Sequence, residues 1–467
     1  MVVQKYKYIN QSWNTKKYII HNKYYNQIFC AFIKKSDRIY GMIAIEDFTN
    51  KDFKSSKTLE KILNRAKVFE QQYLDKVKEI IENVIKYKDE ALYKYALEFD
   101  NIDLKKEGIE IPKKTLEQAY KGLDEDIRKA LEFAYERVFK FHENQKEKSF
   151  ITEEEGIMLG QRVLPVESAG LYVPGGKAAY PSSVIMNAVP AKVAGVPNIY
   201  MVCPKPTKEV LAAAYICGIN RVFRIGGAQS IAALAYGTET VPAVEKIVGP
   251  GNIYVATAKR LVYGIVGIDM IAGPSEVLII ADASADPSFI AMDMLSQAEH
   301  DELASAILIT NCEDLAYSVA KEVDVFLSQL ERKDIATKSI ENFGAIFIVN
   351  NLEKACELSN IIAPEHLEIN TENPFELLGF IKNAGAIFLG EYAVEALGDY
   401  CLGPNHTLPT GRSARFSSAL GVYDFVKRSS ILYLSKKGFD KVKHHAHNLA
   451  KAEGLHAHAS SIELRGL

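Results

Sequence analysis

Between residues 59 and 142 the apolar positions recur at three- and four-residue steps. Leu59, Ile62, Leu63, Ala66 and Phe69 form one stripe, with lysine and glutamate between them; Leu116, Ala119, Tyr120 and Leu123 open a second, which 127–141 continue. That spacing puts one apolar face along a helix. Pro112 and the run Asp124-Glu125-Asp126 predict helix starts, since proline suits the first turn and acids favour the positive helix end. After Gly156 the pattern changes. Short apolar, β-branched segments at 168–173, 198–203, 221–225 and 243–248 predict strands, and 183–194, 208–217 and 228–236 between them predict helices. A second set follows, with strands at 276–281, 304–310, 345–349 and 386–389 and helices at 287–299, 315–330 and 352–360. Apolar strands alternating with helices imply parallel sheets covered on both faces. The expected fold is α/β, with two Rossmann-like parallel-sheet domains of duplicated architecture and small helical elements at either end. Residues 42–48 supply a first strand or arm, and 436–454 a lysine- and histidine-rich helix.

Composition narrows the function. The 467 residues carry a formal charge of −3, with 48% hydrophobic and 25% charged residues. Such a chain is globular in composition and has no basic field to gather nucleic acid or anionic lipid. No apolar run approaches the roughly 18 residues of a membrane helix, and no N-terminal stretch has the core of a signal peptide. Cys30, Cys203, Cys217, Cys312, Cys356 and Cys401 are scattered, with no Cys-x-x-Cys pair. That argues against a disulfide framework or zinc ribbon and for a reducing cytoplasm. The charge is uneven, however. Residues 1–41 hold seven lysines and one arginine against a single acid, Asp37, together with six tyrosines and Trp13. They show no helical or alternating period and are expected to form a poorly packed basic extension, upstream sequence read from too early a start codon.

Glycine-rich turns punctuate the strands: Pro174-Gly175-Gly176, Gly226-Gly227, Gly249-Pro250-Gly251-Asn252 and Gly273-Pro274-Ser275. Open α/β sheets place ligands in such turns at strand carboxyl ends, although each also serves as a plain tight turn. The nearest match to G-x-G-x-x-G, from Gly249 to Tyr254, lacks the third glycine, so spacing supplies no dinucleotide fingerprint. Gln297 and His300 lie three residues apart at the end of a predicted helix, on one face and within reach of a shared metal or substrate. Glu365 and His366 follow Pro364 and an apolar, strand-like run, which places them in a turn. A carboxylate beside an imidazole can divide acid–base work. Asp399, after Gly398, lies near a predicted strand end and is equally suited to cap a helix. His406 has no partner at fixed spacing and reads as structural. His444 and His447 share a helical face that a solvated, lysine-rich surface explains. Glu453 and His458 flank Gly454, where that helix should stop.

Taken in order, these residues resemble the histidinol dehydrogenase family. The likeness rests on Gly170-Leu171-Tyr172-Val173-Pro174-Gly175-Gly176, Gly226-Gly227-Ala228-Gln229, Ala272-Gly273-Pro274-Ser275-Glu276-Val277 and Leu295-Ser296-Gln297-Ala298-Glu299-His300. It continues through Ala363-Pro364-Glu365-His366-Leu367, Gly398-Asp399-Tyr400, and Ala452-Glu453-Gly454-Leu455 with His458. Only 1–41 lack a counterpart. The resemblance implies a zinc- and NAD-dependent, cytoplasmic homodimer that oxidises L-histidinol through L-histidinaldehyde to L-histidine, the last step of histidine biosynthesis. By position, Gln297, His300, Asp399 and His458 match the zinc ligands, His458 reaching the metal of the partner subunit. Glu365 and His366 match the catalytic pair. Ser275 and Glu453 match substrate contacts, alongside Gln297, His300, His366, Asp399 and His458. Tyr172, Gln229 and Asn252 match the positions that hold NAD.

The expected partition is a basic extension over 1–41, an arm over 42–66, and a first α/β domain over 67–171 plus 275–420 carrying the metal and catalytic residues. A second, NAD-binding α/β domain covers 172–274, and a small C-terminal domain over 421–467 reaches the partner. Nitrogen and oxygen donors without thiolate suit zinc used as a template. His366 is expected to take the alcohol proton and Glu365 to activate water against the aldehyde. Cofactor binding through side chains, without the glycine fingerprint, should be weak. Three rivals remain: oxidation of another alcohol, zinc-dependent hydrolysis with Glu365 activating water, and a non-catalytic zinc-stabilised dimer.

Overall fold

The structure is a computed structural model and describes residues 41–65, 71–175 and 180–466. The basic extension therefore lies outside the described residues apart from Gly41, as do Ala66, Phe69 and Gly176. In chain order, β1 (Ala44–Asp47) and α1 (Lys57–Asn64) come first. They are followed by α2 (Gln71–Asp100), β2 (Glu110–Ile111), α3 (Lys113–Lys121), α4 (Glu125–Glu143), β3 (Phe150–Glu154) and β4 (Ile157–Pro165). The first alternating run is β5 (Ser168–Tyr172), α5 (Pro181–Ala194), β6 (Asn198–Val202), α6 (Lys208–Cys217), β7 (Arg221–Phe223), α7 (Gly227–Tyr236), β8 (Lys246–Val248), α8 (Ile253–Val262) and β9 (Gly267–Ile268). The second is β10 (Glu276–Ala281), α9 (Pro287–Ala298), β11 (Ser305–Thr310), α10 (Glu313–Leu327), α11 (Lys333–Phe343), β12 (Ala345–Ile348), α12 (Leu352–Ile362), β13 (His366–Asn370) and β14 (Ala386–Leu389). The chain ends with α13 (Glu395–Tyr400), β15 (Val426–Leu434), α14 (Lys436–Ala452) and α15 (His456–Glu463). The expected helix starts hold: Pro112 precedes α3, and Asp124 caps α4 by accepting from Asp126 N at 2.9 Å.

Two six-stranded sheets result, ordered β2-β7-β6-β5-β8-β9 and β1-β12-β11-β10-β13-β14. The second is parallel throughout; the first departs only at its short antiparallel edge, β2 on β7. Successive residues of a strand point to opposite faces, so each sheet feeds two cores. Val277, Ile279 and Ala281 of β10 pack into one cluster and Leu278 and Ile280 into another. In each sheet the order of winding reverses between two central strands, β5 and β8 in one and β10 and β13 in the other. Those reversals open crevices at the sheet edges.

Three arrangements differ from the expected partition. Residues 67–171 do not join 275–420. Their described part packs on the other sheet: α2 lies on α7 and α8, α3 on α6, α4 on α5, and β5 is a central strand of that sheet. Without α2–α4 the faces carrying α5–α8 would be left bare, and an apolar helix stripe buries itself where a face is open. The arm at 42–66 contributes an edge strand, with Ala44 in register with Ala345. The C-terminal unit also recruits the β3–β4 hairpin, since β15 runs antiparallel to β4 from Val426↔Pro165 to Leu434↔Ile157. These strands escape sequence reading because β3 and β15 are mostly exposed and β4 is mostly half-buried, so no apolar alternation marks them.

Candidate active site

The turn ending in Gly273-Pro274-Ser275 precedes β10, and Glu365 precedes β13, so both lie at the amino ends of the central strands rather than at carboxyl ends. The apolar run before Pro364, expected to be strand-like, is the last turn of α12; the strand begins at His366 and is wholly buried. Glu276 and Glu365 then face each other across neighbouring strands and exchange bonds. Glu276 N donates to Glu365 Oε2 at 3.0 Å, and Glu365 N donates to Glu276 Oε2 at 3.3 Å. Arg65, just past α1, meets Glu276 Oε1 at 2.7 Å with both side chains buried. Gly411 N donates to the same oxygen at 2.9 Å.

His366 Nδ1 lies 3.1 Å from the carbonyl of Glu276. A carbonyl only accepts, so Nδ1 carries the proton and Nε2 keeps its lone pair. That Nε2 is buried and has no hydrogen-bond partner among the described residues. It lies 3.8 Å from Asp399 Oδ1. Asp399 sits inside the short helix α13, not at a strand end. Gly398 lets α13 pass close to β14, because a Cβ there would fall 2.5 Å from the Phe388 ring. Gln297, in the last turn of α9, is fully buried. With its amide oxygen toward Glu276 N (2.8 Å) and its nitrogen toward Glu395 Oε1 (2.9 Å), it satisfies both. His300 falls just beyond the helix, near enough that its imidazole disfavours protonation of His366.

Burial sets the charge states. It pushes the His366 imidazole down to about 4, so the ring is neutral at physiological pH. Burial, and then the negative charge of Glu276, holds the Glu365 carboxyl far above the usual carboxylate range. The pair is thus a neutral imidazole with an open lone pair beside a carboxyl that holds its proton more tightly than usual. That differs from the ionised carboxylate a general base requires, so Glu365 gains basicity only as pH rises.

Gln297, His300 and Asp399 together offer an amide oxygen, an imidazole and a carboxylate around the free edge of His366. The Asp399 carboxylate accepts no hydrogen bond from the described residues. This nitrogen and oxygen set suits zinc. Among the described residues no three His, Cys, Asp or Glu side chains converge on one point, so a complete shell needs the amide and a donor from elsewhere. Glu453 and His458, expected here, are exposed. His458 lies on α15, which packs on α14, and within one chain no contact joins either residue to His366. Ser275 sits directly before Glu276, half-buried.

The other expected cluster gathers at the carboxyl ends of β5 and β8, the reversal point of its sheet. Tyr172 ends β5, and its hydroxyl accepts from Gly227 N at 3.4 Å. Gln229 is 1% exposed, yet neither amide atom finds a partner among the described residues. A buried amide left unpaired is costly unless a ligand completes it. Asn252 caps α8, accepting from Tyr254 N and Val255 N at 3.1 and 3.2 Å, which leaves its amide nitrogen for a ligand.

His406, read as structural from sequence, links the two clusters. Its Nδ1 bonds the Asp399 carbonyl at 2.9 Å and its Nε2 lies 3.3 Å from Ser183 Oγ on α5. Arg65, Glu276 and Glu395 also went unnoticed. Glu276 stood inside a quoted motif, but Arg65 and Glu395 carry no local signal.

The family model for histidinol dehydrogenase matches residues 63–466. The histidinol dehydrogenase of Aquifex aeolicus is 59% identical over 421 residues, covering 90% of this chain and 99% of that protein. That of Caldanaerobacter subterraneus subsp. tengcongensis is 52% identical over 428 residues, covering 91% and 99%. The chain belongs to the histidinol dehydrogenase family. A crystal structure of histidinol dehydrogenase from Elizabethkingia anophelis superposes with a TM-score of 0.86 at 34% identity, covering 92% of this chain and 99% of that one. Two parallel-sheet units are therefore the histidinol dehydrogenase architecture here, and the chain is an oxidoreductase of histidine biosynthesis.

Proposed function

We propose that this chain oxidises L-histidinol through L-histidinaldehyde to L-histidine with NAD and zinc, using His366 and Glu365 for the proton transfers. The unpaired, buried Nε2 of His366 beside Asp399 carries the reading: a neutral base stands open where an alcohol proton would arrive. Zinc, when bound, would supply a Lewis-acidic anchor for the nitrogens of an imidazole-bearing amino alcohol. Gln297, His300 and Asp399 would hold it, completed by His458 of the partner subunit. NAD, when bound, supplies the hydride acceptor, with Tyr172, Gln229 and Asn252 lining its place.

His366 takes the hydroxyl proton on Nε2, while Glu276 O keeps Nδ1–H fixed and the ring oriented. Ser275, with Glu453 of the partner subunit, contacts the substrate. For the second oxidation Glu365, once ionised, takes a proton from the water that adds to the aldehyde; His366 then acts again as base. Arg65 and Glu276 hold Glu365 in place through the exchanged main-chain bonds. Burial of this group excludes bulk water, which protects the aldehyde from escape and side reactions.

A homodimer is supported by the third sheet. Phe150, Ile151, Leu159, Leu432 and Tyr433 of β3, β4 and β15, and Leu449 of α14, are exposed. A thin antiparallel sheet with apolar side chains in water calls for a partner surface. A cytoplasmic setting is supported by the free thiols at Cys203, Cys217, Cys312, Cys356 and Cys401. No helix among the described residues is long and apolar enough to cross a membrane.

Zinc-loaded protein supplied with L-histidinol and NAD should form NADH, and a chelator should stop it. Mixing His458→Ala with His366→Ala protein should restore part of the activity lost in each. Ester or amide hydrolysis without NADH would overturn the reading.

A further inference from the structure

Gly249 closes β8 at the reversal point of the dinucleotide-side sheet, at φ +114 and so close to β5 that a Cβ would fall 2.2 Å from the Tyr172 carbonyl oxygen. Its two main-chain polar groups go to one side-chain pair. Lys259 Nζ, from α8, accepts no bond but donates to Gly249 O at 2.9 Å, and Asp269 Oδ2, just after β9, accepts from Gly249 N at 2.7 Å. The ammonium and carboxylate also contact each other, and both side chains are 2% exposed or less. We infer that Lys259 and Asp269 are positioning residues for the dinucleotide, clamping Gly249 so that Gly251 and Asn252 meet the cofactor in a fixed place.

A buried ion pair is weak support for stability, since apolar residues of similar volume often serve as well. What apolar residues cannot do is hold both the N–H and the C=O of one residue, the polar groups of two consecutive peptide units. The pair does this at the turn that follows β8, one residue before Pro250-Gly251-Asn252, while Asn252 spends its amide oxygen on capping α8. The turn is thereby tied to the helix that follows it and to the strand beyond, so its backbone cannot drift away from Tyr172. The inference rests on the reading of this edge as the NAD site.

The test is steady-state kinetics and thermal unfolding of zinc-loaded dimer for wild type, Asp269→Asn, Lys259→Met and the double variant Lys259→Met/Asp269→Leu. The double variant removes both charges, so nothing ionised is left buried without a partner. If the clamp positions NAD, the double variant still unfolds in one cooperative transition, lowered by the loss of two hydrogen bonds to Gly249, while its KM for NAD rises about tenfold or more, as displacement by an ångström can produce. Its KM for histidinol should stay within about twofold of wild type, the mark of an interaction confined to cofactor binding. Asp269→Asn keeps an acceptor for Gly249 N and should show a smaller rise in the same constant. A double variant with wild-type KM for NAD, or one in which both Michaelis constants rise together, would overturn the inference and leave the pair a structural element. Should the double variant not fold, Asp269→Asn decides alone by whether the NAD constant moves selectively. Wild type showing no saturation by NAD would instead sink the NAD reading itself, which separates the two failures.

Discussion

The two six-stranded sheets share one architecture and use opposite edges of it. In the sheet holding β5 and β8 the candidate site lies at strand carboxyl ends, as open α/β sheets favour. It is built from glycine backbone, a tyrosine and an unpaired amide. In the sheet holding β10 and β13 the site lies at amino ends. It is built from ionisable side chains: Arg65, Glu276, Glu365 and Glu395, all buried, and the half-buried Asp399 beside His366. His406 joins the edges, spanning from Asp399 to Ser183 at the start of α5. A backbone-lined edge accommodates a cofactor, whereas a desolvated charged edge tunes protons. On the proposed function, one sheet end would bind and the other would carry the chemistry.

Variants of each edge should break differently. The largest effect belongs to His366→Ala, which removes the open Nε2 and should lower kcat on the order of 10²–10⁴-fold with KM for NAD unchanged. A parallel loss in NAD affinity would merge the two edges into one. Next comes Glu365→Gln. Because burial keeps the Glu365 proton on well above the usual range, wild-type oxidation of supplied aldehyde should climb as pH rises. In the variant it should be slow and flat with pH, while the first oxidation is less affected. Stopped-flow NADH formation from alcohol and from aldehyde, across pH, makes that comparison.

Gln229→Leu sharpens the other edge. Replacing a buried, unpaired amide by an apolar group of similar size should stabilise the cofactor-free protein by about 1–3 kcal/mol and yet raise KM for NAD. Unchanged stability would mean the amide is already satisfied. The smallest effect lies behind the charged edge, where Glu368 meets Asp293. Burial and the neighbouring carboxyl raise Glu368 to about 8. The folded chain therefore holds this proton more tightly than the unfolded one, and stability is lost as pH rises from the ordinary carboxylate range through about 8. Glu368→Gln should flatten that slope and raise stability at alkaline pH, as thermal melts at several pH values would show.

Legibility from sequence followed burial. The strands β5–β8, β10–β12 and β14 were visible because unbroken apolar runs such as 276–281 and 304–310 leave little else to be. β13 was missed because it opens on His366 and carries Glu368 and Asn370, polar residues that are nonetheless buried; its pattern reads as a loop. The hairpin β3–β4 and β15 were missed for the opposite reason, β3 and β15 being mostly exposed and β4 only half-buried. Domain grouping failed at 67–171, since an amphipathic helix states that one face is buried without stating against which sheet. At the site, the motifs held Gln297, His300, Glu365, His366 and Asp399 in sight. Arg65 and Glu395, distant along the chain, became visible only through folded contacts with Glu276 and Gln297.

The central claim is that one imidazole at the amino edge serves both oxidations of a substrate held between the two sheets. Counting NADH formed per L-histidinol consumed by zinc-loaded protein tests it most directly. The account predicts two for each histidinol, with histidine as product and no free aldehyde. One per histidinol with aldehyde accumulating, or none, would contradict it.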